Sequence, residues 1–574
     1  MTTADPQSTP GPTAARPATT RPTTTPPTTT RLRKEKTIIR QDDAGLVAPV
    51  DPPQADAPPA VTPRSGGRGR AVAVSVPAAV ALALGLWGID RQDSMWRDES
   101  VTYQVAHRSL GDLWGLLGHI DAVHGLYYLV MHAVFALWDG GLVALRLPSV
   151  AATALAAAGV AAIGGRLSGR LAGLLAGLVF ALLPVTQQYA QEGRSYALVT
   201  AGVTWGTYFF LRGIEGGTEG RADRTPAGGT EGTGDRSSEG GRGVSRARWW
   251  VAYALTLGLA SWLHEFAVLA LVAHALTLWR LRVPRRTWRP WALAAACAAL
   301  SVLPLAAVSA GQADQQLGWL GRPSLNAWLQ FAALSVAGLL LCRFLGRRSG
   351  AAASGTLTAL ALPLLIAPVG LLMAVSLVKP WYVDRYVLYC MAGLALPAGA
   401  VLARAVRRRH RLRPVARALT ACAVVALAVA VLLPWSLLVR SPQSRKDDVV
   451  AVTHAVERTA RDGDGVLFMP ARRREWLLSY PSVLDRLDDL ALAGSPAASR
   501  TLQGTELPAA AVRQRILSAD RVIALADPAG QPLDPFPQEE VKRRTLRSSF
   551  EECERIRVRG AQVVVYARPG HCAR

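Results

Sequence analysis

The chain is 574 residues long, half of them hydrophobic and only 18% charged, with a net charge of +23 at pH 7. That balance excludes a single soluble domain, which would carry about 25% charged residues. It does not point to nucleic acid either, because the arginines cluster between apolar segments, as the bias of cytoplasmic loops toward Lys and Arg predicts.

Residues 1–70 hold Thr-Pro runs, no aromatic residue and few large aliphatics. Such a segment cannot bury enough surface to offset its chain entropy, and it reads as a disordered cytoplasmic tail. The first apolar stretch, 71–89, follows Arg64, Arg68 and Arg70, which should hold its start in the cytoplasm and send residue 90 outside. A secretory signal peptide would not begin after seventy residues. Further stretches of spanning length cover 142–164, 171–186, 195–213, 249–264, 266–281, 290–310, 325–342, 354–378, 386–403 and 418–439, eleven in all. Every second connection is basic, so the basic ones face the cytoplasm: those with Arg166 and Arg170, Arg221 to Arg248, Arg280 to Arg289, Arg343 to Arg348, and Arg404 to Arg417.

The segment from His124 to Trp138 is apolar but short. If it crossed, all the later arginine clusters would fall outside. It is therefore expected to lie in the outer interface, with Tyr127, Tyr128 and Trp138 at headgroup level, inside an outer loop over 91–141. The connection 214–247 is rich in Gly, Thr, Arg and Glu and reads as a flexible cytoplasmic insertion. From 441 to 574 helical patterns alternate with strand-like runs at Gly465 to Phe468, Arg521 to Leu525 and Gln562 to Tyr566, which predicts a small extracytoplasmic α/β domain. There Cys553 and Cys572 could form a disulfide or remain free thiols; no CxxC or metal spacing occurs. The expected architecture is an α-helical polytopic membrane protein with a transmembrane domain over 71–440, its N-terminus cytoplasmic.

Four polar clusters fall on the outer side of this topology. The first is Trp96-Arg97-Asp98-Glu99-Ser100, where a desolvated carboxylate can act as a general base, or the pair can simply be solvated and held by Arg97 or Arg91. The second runs from Gln187 to Tyr196 and contains Glu192 and Arg194, which either pair and cap helix ends or offer a guanidinium to a phosphate. His264 and Glu265 form the third; a lone histidine at a helix end is more often hydrogen-bonded than a proton relay or metal ligand. The fourth, Lys379 to Tyr386, sets two cations and three aromatics at the mouth of a helix pair, to bind a lipid phosphate or to anchor the helices. Together they suggest an outer-leaflet active site or a transport vestibule.

The order of these motifs resembles the polytopic glycosyltransferases of the GT-C class, related to protein O-mannosyltransferases and lipid A aminoarabinose transferases. The resemblance covers 71 to about 410. It rests on Asp98-Glu99, His124-Gly125-Leu126-Tyr127-Tyr128, Arg146-Leu147-Pro148-Ser149, Gln191 to Tyr196 and Asp384-Arg385-Tyr386, with Gly125 standing where relatives have proline and Gly193 where alanine is common. It implies a polyprenyl-phosphate sugar donor, mannose before arabinose, galactose or glucose, and transfer with inversion to a hydroxyl or amine of a protein, glycan or glycolipid. It implies Asp98 as general base, with Glu99 orienting it or helping to bind a divalent cation, for which His264 is a further candidate ligand. Arg194, Arg385 and Lys379 would hold the donor phosphate. Glu192 and His264, with His124, Tyr127, Tyr196 and Tyr386 from the same motifs, would line the substrate site. No nucleotide-sugar fingerprint occurs. The rival expectation is a transporter or flippase, for which the chain lacks the two repeated halves.

Overall fold

An apolar helix needs about twenty residues to cross the hydrocarbon core, and each of the eleven predicted stretches is helical in the computed structural model. That structure describes residues 66–215, 236–318, 320–347, 351–409 and 413–572. Residues 1–65 of the predicted N-terminal tail and most of the 214–247 insertion lie outside the described residues, while residues 66–70 form the start of the first helix. The helices are α1 (Gly66–Leu86), α2 (Arg97–Ala106), α3 (Leu110–Leu117), α4 (Gly125–Leu137), α5 (Gly141–Ser168), α6 (Arg170–Leu182), α7 (Pro184–Ala190) and α8 (Tyr196–Glu215). They continue with α9 (Arg236–Leu263), α10 (Leu269–Arg280), α11 (Arg285–Leu317), α12 (Leu325–Gly346), α13 (Ala351–Val375), α14 (Met391–Arg409) and α15 (Pro414–Val439).

Among the described residues, seven helices are long and apolar enough to cross a membrane by themselves, and α6 with α7 makes an eighth candidate bent by 66°. The protein is a multi-pass membrane protein. The bend falls at Leu183, whose extended backbone precedes Pro184, a residue that cannot continue the α6 hydrogen-bond ladder. It carries the chain into the segment from Gln191 to Ser195. Without a hydrophobic force between helices in lipid, close approach depends on small residues. A Cβ on Gly173 of α6 would lie 2.3 Å from the Ala161 carbonyl of α5, so this hairpin closes only on glycine.

Between α1 and α5 lie α2, α3, a 3-10 turn at Ala122–His124, and α4. The apolar helical segment Ala122–Leu137 falls short of spanning length, as the sequence predicts. The aromatics differ from expectation. Trp138 is half exposed, but Tyr127 and Tyr128 are fully buried, because their face of α4 packs against the rest of the loop between α1 and α5 and against the bundle core. Gly125 stands at the first position of α4 with φ −54°; its N–H donates to the Ala122 carbonyl, and a Cβ there would lie 2.8 Å from Leu117 Cδ1.

From residue 441 on, five strands form a mixed sheet in the order β2-β1-β5-β7-β6, and a two-stranded ribbon pairs β3 with β4. The strands are β1 (Gly465–Met469), β2 (Asp488–Asp489), β3 (Leu492–Gly494), β4 (Thr505–Glu506), β5 (Arg521–Ala526), β6 (Glu551–Val558) and β7 (Ala561–Ala567). Alternation of β1, β5 and β7 buries both faces. Phe468, Ile523 and Val565 join the core with Val452 and Val456 of α16 (Val449–Thr459) and with Trp476 of α17 (Arg474–Leu477). Leu467, Ala524 and Val564 pack under Ile516 of α19 (Ala509–Ser518) and Leu546 of α20 (Pro537–Ser549); α18 is the single turn Pro481–Leu484. Cys553 and Cys572 are disulfide-bonded, with Cα atoms 5.3 Å apart. The α/β region is seated on the loop between α1 and α5. Val449 N donates to Met95 O at 2.6 Å, Arg97 N to Asp447 Oδ1 at 2.9 Å, and Ser100 Oγ to Glu475 O at 3.1 Å.

Candidate active site

Successive residues on a helix point about 100° apart, so Asp98 and Glu99, adjacent in the first turn of α2, face different surroundings. Asp98 opens into a cavity of about 740 Å³ lined by the loop between α1 and α5, the ends of several membrane helices and the α/β region. Its Oδ2 lies 3.3 Å from Arg385 Nη2 and its Oδ1 3.7 Å from Arg97 Nε. Arg385 also donates through Nε to the Tyr196 hydroxyl at 3.1 Å, and its guanidinium lies 5.5–5.8 Å from the ring centres of Trp96, Tyr196 and Tyr386.

Arg194 approaches from the other side. Its Nη1 donates to the Asp98 carbonyl at 3.4 Å and to Thr102 Oγ1 at 3.3 Å, and its Nη2 to His124 Nε2 at 2.6 Å. The imidazole must therefore accept at Nε2, and burial together with the Arg194 charge holds the His124 pKa well below its ordinary value. His264 closes the group, with ring centres 4.3 Å from Tyr386 and 6.0 Å from both Tyr196 and His124. The site is thus one carboxylate and two guanidiniums set in a box of imidazole and phenol rings. Apolar residues Val302, Leu372, Val375 and Phe266 line the same cavity on the side of the membrane helices.

No protein-family model matches the sequence. No curated protein matches it. Solved structures do: ArnT from Cupriavidus metallidurans in the apo state shares the fold with a TM-score of 0.52 at 14% identity, over 85% of this chain and 97% of that one. The same protein bound to undecaprenyl phosphate gives 0.50 at 13% identity, over 85% and 97%. The chain has the GT-C fold. The oligosaccharyltransferase AglB from Archaeoglobus fulgidus, in complex with an inhibitory peptide and a dolichol-phosphate, is more distant, with a TM-score of 0.44 at 12% identity over 79% and 69%.

Not every candidate residue faces the cavity of this GT-C chain. Glu99 points inward and is fully buried, accepting from Arg91 Nη1 at 3.2 Å, Arg146 Nε and Nη2 at 2.8 Å each, and Gly193 N at 2.9 Å. Burial alone would raise its carboxyl, but Arg146 and Arg91 overcome that and hold it well below the usual carboxylate range. With every lone pair engaged it has none to give a metal. Arg91, Gln92 and Asp93 all take φ of 55°, a left-handed turn that non-glycine residues rarely sustain, and Arg91 on Glu99 pins it. Glu192 is likewise buried, 3.3 Å from Arg445 Nη2, and Tyr127 lies in the helix core. Lys379 is mostly exposed, 3.8 Å from Asp314, and lies off the cavity wall. Among the described residues no three His, Cys, Asp or Glu side chains are grouped to hold a metal ion.

The cavity also gains residues that the sequence reading did not single out. Asp121, in a left-handed conformation before α4, accepts from Gln316 Nε2 at 3.2 Å and from the Tyr128 hydroxyl, and burial raises its carboxyl. Arg472, Glu475 and Gln503 come from the α/β region. Nothing in their local sequence marks them, because docking onto α2 is what brings them in.

Proposed function

We propose that this chain is a membrane glycosyltransferase that moves a sugar, mannose in the first instance, from a polyprenyl-phosphate donor to an extracytoplasmic acceptor. The observation that carries the reading is Asp98 and two guanidiniums, Arg194 and Arg385, meeting in one cavity with an apolar side, in a chain with the GT-C fold of a protein solved with undecaprenyl phosphate. Arg194 and Arg385 hold the donor phosphate, where their planar forks match its oxygens, and the prenyl tail lies along the apolar wall. The acceptor oxygen attacks the anomeric carbon from the face opposite the phosphate. The bond from that carbon to the phosphate oxygen breaks, its electron pair stays on the phosphate, and the configuration inverts. Asp98 takes the acceptor proton. Its pairing with Arg385 supports a simple order, in which phosphate binding draws Arg385 away and leaves the base free.

Glu99 and its arginine partners position rather than react, tying α2 to the loop that carries Arg194. His124, Tyr196, His264 and Tyr386 frame the sugar. The arginine-rich connections and the disulfide support a cytoplasmic N-terminus and an outer-face α/β region over 441–574 in the plasma membrane. The test is transfer of radiolabelled sugar from polyprenyl-phosphate donors in membranes carrying the intact protein, beside membranes carrying Asp98→Asn at equal protein level. Loss of transfer with the substitution is expected. Equal transfer from both would remove Asp98 as the base, and no transfer from any donor would end the glycosyltransferase reading.

A further inference from the structure

Of the acids that line the cavity, Glu475 alone has no partner. Asp98 meets Arg385, Asp121 meets Gln316 and Tyr128, and Glu265 accepts from Ser309 Oγ at 2.6 Å. The Glu475 side chain makes no hydrogen bond, and no ion pair within 4.0 Å, among the described residues, although the residue is only 8% exposed. Burying a carboxyl without a partner is unfavourable by several kcal/mol for the charged form. Burial accordingly pushes this one up to about 7, with Arg97 opposing the shift from longer range.

The placement is rigid. Ser100 Oγ donates to the Glu475 carbonyl at 3.1 Å, Ser479 Oγ donates to the Ser100 carbonyl at 3.0 Å, and the two hydroxyls lie 2.7 Å apart. The helix turn that carries Glu475 is thereby clamped to α2, two residues from Asp98. Arg472, which lines the same wall, is already engaged by Asp527 and Asp534 at 2.8 and 2.7 Å. A clamped, buried and unpartnered carboxyl at a cavity wall is an arrangement completed by a ligand.

We propose that Glu475 binds a hydroxyl group of the acceptor, and that the acceptor presents a neutral, sugar-like polyol to the wall formed by α2 and α17. The word acceptor rests on the glycosyltransferase reading; the binding of a polyol does not. Four arginines, Arg97, Arg194, Arg385 and Arg472, and four acids, Asp98, Asp121, Glu265 and Glu475, line the cavity, so neither a cationic nor an anionic acceptor meets a net opposite charge there. A carboxyl that holds its proton part of the time near neutral pH can both donate to and accept from a hydroxyl, which suits a sugar.

The full-length protein in lipid nanodiscs is titrated at pH 7 with methyl glycosides of mannose, galactose and arabinose, and with glucosamine for its ammonium. Binding is read from intrinsic tryptophan fluorescence, to which Trp381 on the cavity wall contributes. At least one neutral glycoside should bind saturably, with Kd raised fivefold or more in Glu475→Gln and in Glu475→Ala, while both variants unfold no earlier than wild type. Equal binding by wild type and variants, tightest binding of glucosamine, or no glycoside binding would each overturn the proposal. Transfer by wild type and Asp98→Asn is scored separately. Glycoside binding that depends on Glu475 in a protein that transfers no sugar would sink the glycosyltransferase reading and leave this one standing.

Discussion

Replacing Glu99 with glutamine tests whether the acidic pair divides its labour as the geometry requires. The carboxylate receives four N–H donors at 3.2 Å or less, three of them from Arg91 and Arg146 and one from Gly193, and both arginines are fully buried. Glutamine keeps one acceptor oxygen but turns an NH₂ toward guanidinium donors and leaves two buried cations without their counter-ion. Removing one member of a buried ion pair is typically destabilising by about 3–5 kcal/mol, and each lost charge-assisted hydrogen bond by about 1.5–3. The values overlap rather than add, so a loss of about 3–5 kcal/mol is expected. The loop from Gln191 to Ser195 also loses its tie to α2, so Arg194 should move off the Asp98 carbonyl. Thermal unfolding in nanodiscs, followed alongside sugar transfer, should show Glu99→Gln unfolding well below wild type and transferring poorly. Asp98→Asn, altered at a partly exposed group whose ion pairs with Arg385 and Arg97 are longer, should unfold much nearer wild type. An unchanged unfolding temperature for Glu99→Gln would refute the claim that this network holds the site together.

Glu475 carries a pH dependence whose sign follows from its environment. Its folded pKa of about 7 lies above the ordinary 4.5, so the folded state holds the proton more tightly than the unfolded chain does. Below about pH 4.5 both states are protonated; between 4.5 and 7 the folded protein loses stability, reaching about 3 kcal/mol above 7. Unfolding temperatures of wild type and Glu475→Gln should therefore converge near pH 4.5, with the variant the more stable above 7; parallel curves would contradict the burial argument. Lys379→Ala should leave transfer within about twofold, because its exposed pair with Asp314 is worth about 0–1 kcal/mol and lies off the cavity. Arg194→Ala should reduce transfer by about 10²–10³, the scale of losing one preorganised donor to developing charge. Similar losses from both would mean that the phosphate sits nearer Lys379.

The membrane helices and the α/β strands β1, β5 and β7 were legible because each is written in a local period: a long apolar run for a span, and alternating or continuous branched residues for a buried strand. Strand β6 was not, since Glu551 to Val558 is a mostly polar edge whose pairing with β7 is decided across the sheet. The predicted spans ended near the observed helices, yet the 66° turn at Leu183 placed α7 and the Arg194 loop in a way that length and hydropathy do not encode.

For the site, order along the chain was enough to nominate Asp98, His124, Arg194, Tyr196, His264, Arg385 and Tyr386, all of which line the cavity. The resemblance gave Asp98 and Glu99 different roles, but order along the chain could not tell which of two like-charged neighbours, Asp98 and Glu99 or Lys379 and Arg385, reaches the cavity, because such neighbours differ only in what the fold sets opposite them. Arg91 and Arg146 capture Glu99; the cavity receives Asp98. Glu475 lies more than 350 residues from Asp98 in the chain and reaches the same wall only through the docking of α17 on α2. Burial, counter-ions and partners between distant segments are properties of packing. The sequence by itself determined which residues could meet water, lipid or phosphate, and tertiary structure alone decided which of them do.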